Sequence, residues 1–194
     1  MSDIVAPARR RLSLDRLNLA HLVTGARAVL VLLASSLVLM SLLMSEGTEP
    51  ARAWVLWALA LPAWALDLVD GHLARRTGRT SRFGAHFDEE TDALLILVLS
   101  VALAPLAPWG LAIGLAHYAF LLLRLTGRRW RAPLPPRGSR KVIAATAGGI
   151  LVWSVLPVIP PWLAQLAVGV GVVLIVWSFG RDLWWLSRPG GRTA

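Results

Sequence analysis

Long runs of the chain carry no charge. Residues 28–45 are uncharged, and across 17–45 Arg27 is the sole charged residue. Residues 53–66 are uncharged and lead straight into Asp67 and Asp70. A third run, 93–123, and a fourth, 142–180, are also free of charge. A bilayer core about 30 Å thick takes about 20 mostly apolar residues per helix. The first two runs each suit one crossing. The last two are too long for one, and each is punctuated. Pro105, Pro108 and Gly110 break the third, and Pro157, Pro160 and Pro161 break the fourth. Such clusters end helices, so each run predicts two helices folded back on one another. The pattern predicts an all-α integral membrane protein with six transmembrane helices. Lipid gives exposed backbone no hydrogen-bond partner, which is why the spans are helical.

Composition agrees with that reading. The 194 residues are 56% hydrophobic and 16% charged, with mean hydropathy +0.62. Ordinary soluble domains run at roughly 45–50% and 25%. With no cysteine, disulfide scaffolds, cysteine-ligated zinc and thiol catalysis are excluded. The formal net charge is +9. In an apolar chain this excess reads as orientation and not as nucleic-acid binding. Arg9, Arg10, Arg11 and Arg16 precede the first span, and Arg75, Arg76, Arg79 and Arg82 lie between the second and third. Arg128, Arg129, Arg131, Arg137, Arg140 and Lys141 lie between the fourth and fifth, and Arg181, Arg188 and Arg192 follow the sixth. The opposite loops hold Arg52 with Glu46 and Glu49. The positive-inside rule then puts both termini in the cytoplasm. Residues 1–16 read as a basic, partly amphipathic juxtamembrane arm, 17–188 as the membrane domain and 189–194 as a tail. No apolar segment is followed by a small-residue cleavage site, so a removable signal peptide is not expected. The ten tryptophans lie mostly near span ends, as interfacial anchors do.

The acids are few and gathered. Six of the eleven, Asp67, Asp70, Asp88, Glu89, Glu90 and Asp92, fall within residues 67–92 beside four arginines. The rest of the chain has sixteen basic residues against five acids. At about 100° per residue, Asp67, Asp70, Gly71 and Ala74 share a helix face. Its two small side chains let a bulky ligand approach the backbone. Gly84, Asp88 and Asp92, spaced by four, share a face at the start of the third helix. Antiparallel packing of the two helices would bring four carboxylates to one depth. Burying such a group unpaired costs several kcal/mol per ion, and one or two divalent cations relieve the cost. All-oxygen ligation favours Mg²⁺, Mn²⁺ or Ca²⁺ over zinc. The competing reading, salt bridges to Arg75, Arg76, Arg79 and Arg82, suits Glu89 and Glu90, which face away from Asp88 and Asp92. His86 and Glu90 can meet on that other face as an i,i+4 pair.

The sequence Asp67-x-x-Asp70-Gly71-x-x-Ala74-Arg75, eight further residues, then Gly84-x-x-x-Asp88-x-x-x-Asp92, resembles the signature of the CDP-alcohol phosphatidyltransferases. Every defining position is present at the family's spacing. The resemblance implies an integral membrane enzyme of the cell (inner) membrane, a homodimer, with its site at the cytoplasmic face. Such an enzyme moves a phosphatidyl or related group from CDP-diacylglycerol or a similar CDP-linked donor to a small alcohol, releasing CMP. It implies one or two Mg²⁺ or Mn²⁺ ions on Asp67, Asp70, Asp88 and Asp92, with Asp92 as the base for the acceptor hydroxyl. Gly71, Ala74 and Gly84 would admit the nucleoside, and Arg75 would pair with a donor phosphate.

Two more segments enter the picture. Asn18-Leu-Ala-His21-Leu-Val-Thr24-Gly-Ala-Arg27 is similar to the family's first-helix motif, with His21 in place of a second asparagine. Thr24 and Arg27, three apart, can face the site together. Arg27 either reaches back to the cytoplasmic edge or helps hold phosphate. Gly138-Ser-Arg140-Lys141 opens the fifth helix, where related enzymes with phosphorylated acceptors place basic residues. Arg140 and Lys141 are therefore candidates for an acceptor phosphate. His72 and His117 have no evident partner and read as packed or solvated. The small residues Gly110, Gly114 and Ala116 offer a face for close helix packing, within the chain or in a dimer. Glycerophosphate-using members often carry Leu-Asp-Pro at the third aspartate and lysine after the fourth, and inositol-phosphate-using members arginine after the fourth. Here the run is His86-Phe-Asp88-Glu-Glu-Thr-Asp92-Ala93, so the acceptor stays open. Two other readings compete. An intramembrane prenyltransferase, which also binds Mg-diphosphate, needs more helices and leaves Gly71-x-x-Ala74-Arg75 unexplained. A divalent-cation carrier would hold its acids nearer the bilayer midplane.

Overall fold

The computed structural model describes the backbone of residues 6–44, 49–77, 82–127, 130 and 138–187. It describes the side chains of these same residues except 6–22, 68–77, 82, 83 and 85. Among the described residues six α-helices follow one another: α1 (Ala6–Leu43), α2 (Pro50–Thr77), α3 (Arg82–Leu103), α4 (Leu111–Leu125), α5 (Gly138–Ser154) and α6 (Pro161–Ser187). A 3-10 turn at Pro108–Gly110 leads into α4. There is no strand among the described residues.

The two long uncharged runs break where proline and glycine predict. After α3 the chain tightens through bonds from the Leu106 and Ala107 amides to the Leu103 carbonyl, at 3.0 and 2.8 Å. The carbonyl of Leu106 is taken up by the Gln165 side chain of α6 at 3.0 Å. Between α5 and α6, Pro157, Pro160 and Pro161 leave a short turn, and Pro161 opens α6, where a missing N–H costs nothing.

The basic arm and the first apolar run are one continuous helix. Pro7 falls in its first turn, and no glycine or proline follows until Gly25, so nothing local stops it. With 38 residues, α1 is about 57 Å long at 1.5 Å per residue. That is nearly twice a bilayer core, so its basic turns extend past the apolar thickness. Among the described residues three segments are long and apolar enough to cross a membrane: Val23–Leu43, Pro108–Leu125 and Pro161–Ser187. Asp67 and Asp70 lie toward the end of α2 and Asp88, Glu89, Glu90 and Asp92 toward the start of α3, and α5 has 17 residues.

The helix α3 is the hub. It packs on α1, α2, α4 and α5, while α6 packs on α5 and α4. Val31 and Ala34 of α1, Ala60 and Ala63 of α2, Leu95 and Leu99 of α3, and Leu151 and Val152 of α5 form the middle of the core. Two close approaches set helix spacing. A Cβ on Gly114 would lie 2.8 Å from the Leu97 Cα, so the small face of α4 is used against α3 within the chain. Gly148 and Gly149 of α5 receive the Trp64 ring, whose Nε1 donates to the Ala145 carbonyl at 3.2 Å. Trp64 is thus a packing residue between α2 and α5. Large apolar side chains turned outward, among them Leu32, Leu39, Leu166, Val173 and Val176, give α1 and α6 the surface that lipid contact requires.

Candidate metal centre and active site

Helices α1, α2 and α3 bring their charges to one end of the bundle. Arg27 comes from α1, Asp67 from α2, and Asp88 and Asp92 from successive turns of α3. Asp88 and Asp92 share a face because four residues are close to one helical turn. One carboxylate oxygen from each of Asp67, Asp88 and Asp92 lies within 4.8 Å of the others. Into this group projects Arg27, 1% exposed. Its Nη1 donates to Asp67 Oδ1 at 3.1 Å and Asp88 Oδ1 at 2.6 Å. Its Nη2 donates to the Asp88 carbonyl at 3.4 Å and to Asp92 Oδ1. When all four groups are ionised, three carboxylates against one guanidinium leave an excess of two negative charges, the charge of one divalent cation. Asp88 lies ahead of the uncharged run that begins at Ala93. Burial pushes its carboxyl above the ordinary range, Arg27 pulls it down, Asp67 pushes it up, and Lys141 lowers it from a distance. The donor set is all oxygen, anionic and close enough to share one ion, which suits Mg²⁺ or Mn²⁺.

The other predicted residues fall around this centre. Thr24 is partly buried one turn before Arg27, and Gly84 is partly buried one turn before Asp88. Asp70, Gly71, Ala74 and Arg75 fall on α2, but their side chains lie outside the described residues. Arg76, Arg79 and Arg82, proposed as alternative salt-bridge partners, have side chains outside them too, as do His21 and His72. Glu89 and Glu90 point away from the centre. Glu90 Oε1 lies 3.9 Å from His86 Nε2 and 3.4 Å from His117 Nε2. His117 therefore has a partner that its own helix could not reveal.

A second charged contact joins the start of α5 to the end of α6. Arg140 Nε lies 2.7 Å from Asp182 Oδ2, and the Asp182 side chain is 7% exposed. The preceding residue, Arg181, donates from Nη2 to Ser139 Oγ at 2.9 Å and lies over the Trp177 ring. Lys141 is exposed. The role of Asp182 escaped the sequence reading. Its signal was an acid, next to Arg181, late in a mostly apolar helix.

The sequence model of one family, described as CDP-alcohol phosphatidyltransferase, matches residues 17–177. The chain belongs to the CDP-alcohol phosphatidyltransferase family. The match takes in α1 from Leu17 onward, the whole acidic centre and most of α6. Among curated relatives it is similar to a "Probable phosphatidylglycerophosphate synthase" of Mycobacterium tuberculosis, in strains CDC 1551/Oshkosh and H37Rv. Identity with each is 35% over 94 residues, which is 47% of this chain and 43% of the relative. The aligned part thus spans less than half the length of these relatives. No solved structure matches significantly.

Proposed function

We propose that this chain transfers a phosphatidyl group from CDP-diacylglycerol, or a similar CDP-linked donor, to a small alcohol in phospholipid synthesis, with release of CMP. One observation carries the reading. The aspartates of a CDP-alcohol phosphatidyltransferase signature, Asp67, Asp88 and Asp92, come within 4.8 Å of one another from two helices. Family membership favours this over a prenyltransferase or a cation carrier.

Asp67, Asp70, Asp88 and Asp92 would hold one or two Mg²⁺ or Mn²⁺ ions. A divalent cation bound there neutralises and orients a pyrophosphate. Asp92 takes the proton of the acceptor hydroxyl as that oxygen attacks the lipid-bearing phosphorus. The bond from that phosphorus to the bridging oxygen breaks, and CMP leaves with the electron pair. Gly71, Ala74 and Gly84 leave room for the nucleoside beside the backbone, while Thr24, Arg27 and Arg75 bind the donor. Lys141, exposed at the same end of the bundle, and Arg140, whose Nε is held by Asp182, are the candidates to meet an acceptor phosphate. The arginine distribution supports six spans in the cell membrane, with both termini and the site on the cytoplasmic side, and the protein works as a homodimer. The name of the mycobacterial relatives, probable phosphatidylglycerophosphate synthase, makes glycerol phosphate the first acceptor to test. Residues 86–93, which lack the proline and lysine common in glycerophosphate users, keep inositol phosphate, inositol and serine on the panel.

The test is CMP release from CDP-diacylglycerol by the full chain in detergent, with each acceptor and with Mg²⁺, Mn²⁺ or chelator. Metal-dependent CMP with one acceptor, and the matching lipid product, is the expected result. No CMP with any acceptor or liponucleotide would end the proposal.

A further inference from the structure

Arg27 heads the largest fully buried side chains among the described residues. A buried guanidinium in an apolar helix is strongly unfavourable unless carboxylates match it. Here one planar fork reaches Asp67 on α2 and both Asp88 and Asp92 on α3, so it joins three helices at one point. These are the same three carboxylates that are close enough to share a metal ion. A guanidinium and a divalent cation seek the same oxygen lone pairs and repel one another, the more so away from water.

We propose that Arg27 is the resident cation of the acidic centre. It holds α1, α2 and α3 together in the metal-free protein, and it competes with the divalent ion for Asp67, Asp88 and Asp92. Metal enters by displacing Arg27 from at least part of this set. The inference rests on the metal reading above but adds a distinct claim, that Arg27 weakens metal binding while stabilising the metal-free fold. A residue that merely packed, or that merely held the aspartates in place for metal, would have the opposite effect on affinity or none.

The test is Mn²⁺ titration of the full chain in detergent, with free Mn²⁺ read by electron paramagnetic resonance. Thermal unfolding of the metal-free protein is measured alongside. Wild type, Arg27→Gln, Arg27→Lys and Asp88→Asn are compared. Arg27→Gln binds Mn²⁺ about tenfold or more tighter than wild type, since an adjacent positive charge is gone. Its metal-free form unfolds at lower temperature, and Mn²⁺ restores it. Arg27→Lys, with a single ammonium unable to span three carboxylates, lies between. Equal or weaker Mn²⁺ binding by Arg27→Gln, with binding lost in Asp88→Asn, overturns the inference and leaves the metal reading intact. Equal binding, or none, in both wild type and Asp88→Asn overturns the metal reading and this inference with it. If Arg27→Gln is recovered folded only in Mn²⁺, that supports the proposal. If it cannot be recovered at all, Arg27→Lys decides by the same criterion: tighter binding than wild type supports it, and equal or weaker binding overturns it.

Discussion

Replacing Gly114 by alanine asks whether the close approach of α4 to α3 holds the bundle, and with it the acidic centre. The added Cβ would lie 2.8 Å from the Leu97 Cα and 2.9 Å from Ser100 Oγ. Carbon atoms rest about 3.5–4.0 Å apart, so the helices must separate by about 1 Å. Neither neighbour can yield alone. Leu97 meets the new atom with its backbone, and Ser100 is fully buried with its hydroxyl donating to the Ile96 carbonyl at 2.8 Å. Overpacking of this kind costs about 1–3 kcal/mol, against a gain of about 1 kcal/mol for alanine over glycine in a helix. Gly180 on α6 is the control. Nothing lies within 4 Å of its would-be Cβ, so Gly180→Ala keeps the helix gain without the clash. The two variants should differ by about 1–3 kcal/mol, all of it from the α3–α4 contact. Tryptophan fluorescence during heating in one detergent reads the difference directly. Gly114→Ala should unfold below wild type or near it, and Gly180→Ala above. Because α3 also carries Asp88 and Asp92, a shift of about 1 Å should lower CMP release by about tenfold or more. If the two variants unfold at the same temperature, the close approach at Gly114 is not what holds α4 to α3.

Two further predictions use the polar contacts. Asp67→Ala and Asp88→Ala should each lower metal-dependent CMP release by about a hundredfold or more, while Glu90→Ala, turned toward His86 and His117, should stay near wild type. An equal loss at Glu90 would mean that the two faces of α3 have been assigned the wrong way round. Asp182→Leu should destabilise the protein, because it takes from Arg140 the carboxylate that lies 2.7 Å from its Nε and puts an apolar side chain there. Arg140 is 27% exposed, so the cost falls below that of a fully buried pair, at about 2 kcal/mol. The double change Arg140→Leu with Asp182→Leu should recover part of it in a double-mutant cycle by thermal unfolding, and a strictly additive double mutant would show the pair to be uncoupled.

The helix breaks and the acidic stripe were readable because both are local. Pro105 and Pro108, or Pro157 and Pro161, stop a helix by their own geometry, and Asp88 with Asp92 share a face whatever surrounds them. The sequence reading left open whether the basic arm continues the first helix, for the converse reason. A change from polar to apolar residues between Arg16 and Leu17 looks like a boundary, yet helix formation needs only the absence of a breaker, and none lies between Pro7 and Gly25. Partnerships between helices were not readable. Arg27 is 40, 61 and 65 residues from the three aspartates it holds, and periodicity reports the face of a side chain without its neighbour. The glycine face of α4 was equally ambiguous, since the same small residues serve contacts inside a chain or between chains. Yet the isolated charges did carry information. A buried charge in an apolar helix is strongly disfavoured without a partner, so Arg27 in the first run and Asp182 at the close of the last each demanded an opposite charge from another helix. Each has one, Arg27 in the acidic centre and Asp182 in Arg140. Because successive helices alternate in direction, the start of α1, α3 and α5 and the end of α2, α4 and α6 share one end of the bundle. That alternation, more than any single motif, is what gathers Asp67, Asp88 and Asp92, Arg27 and the Arg140–Asp182 ion pair on the same side.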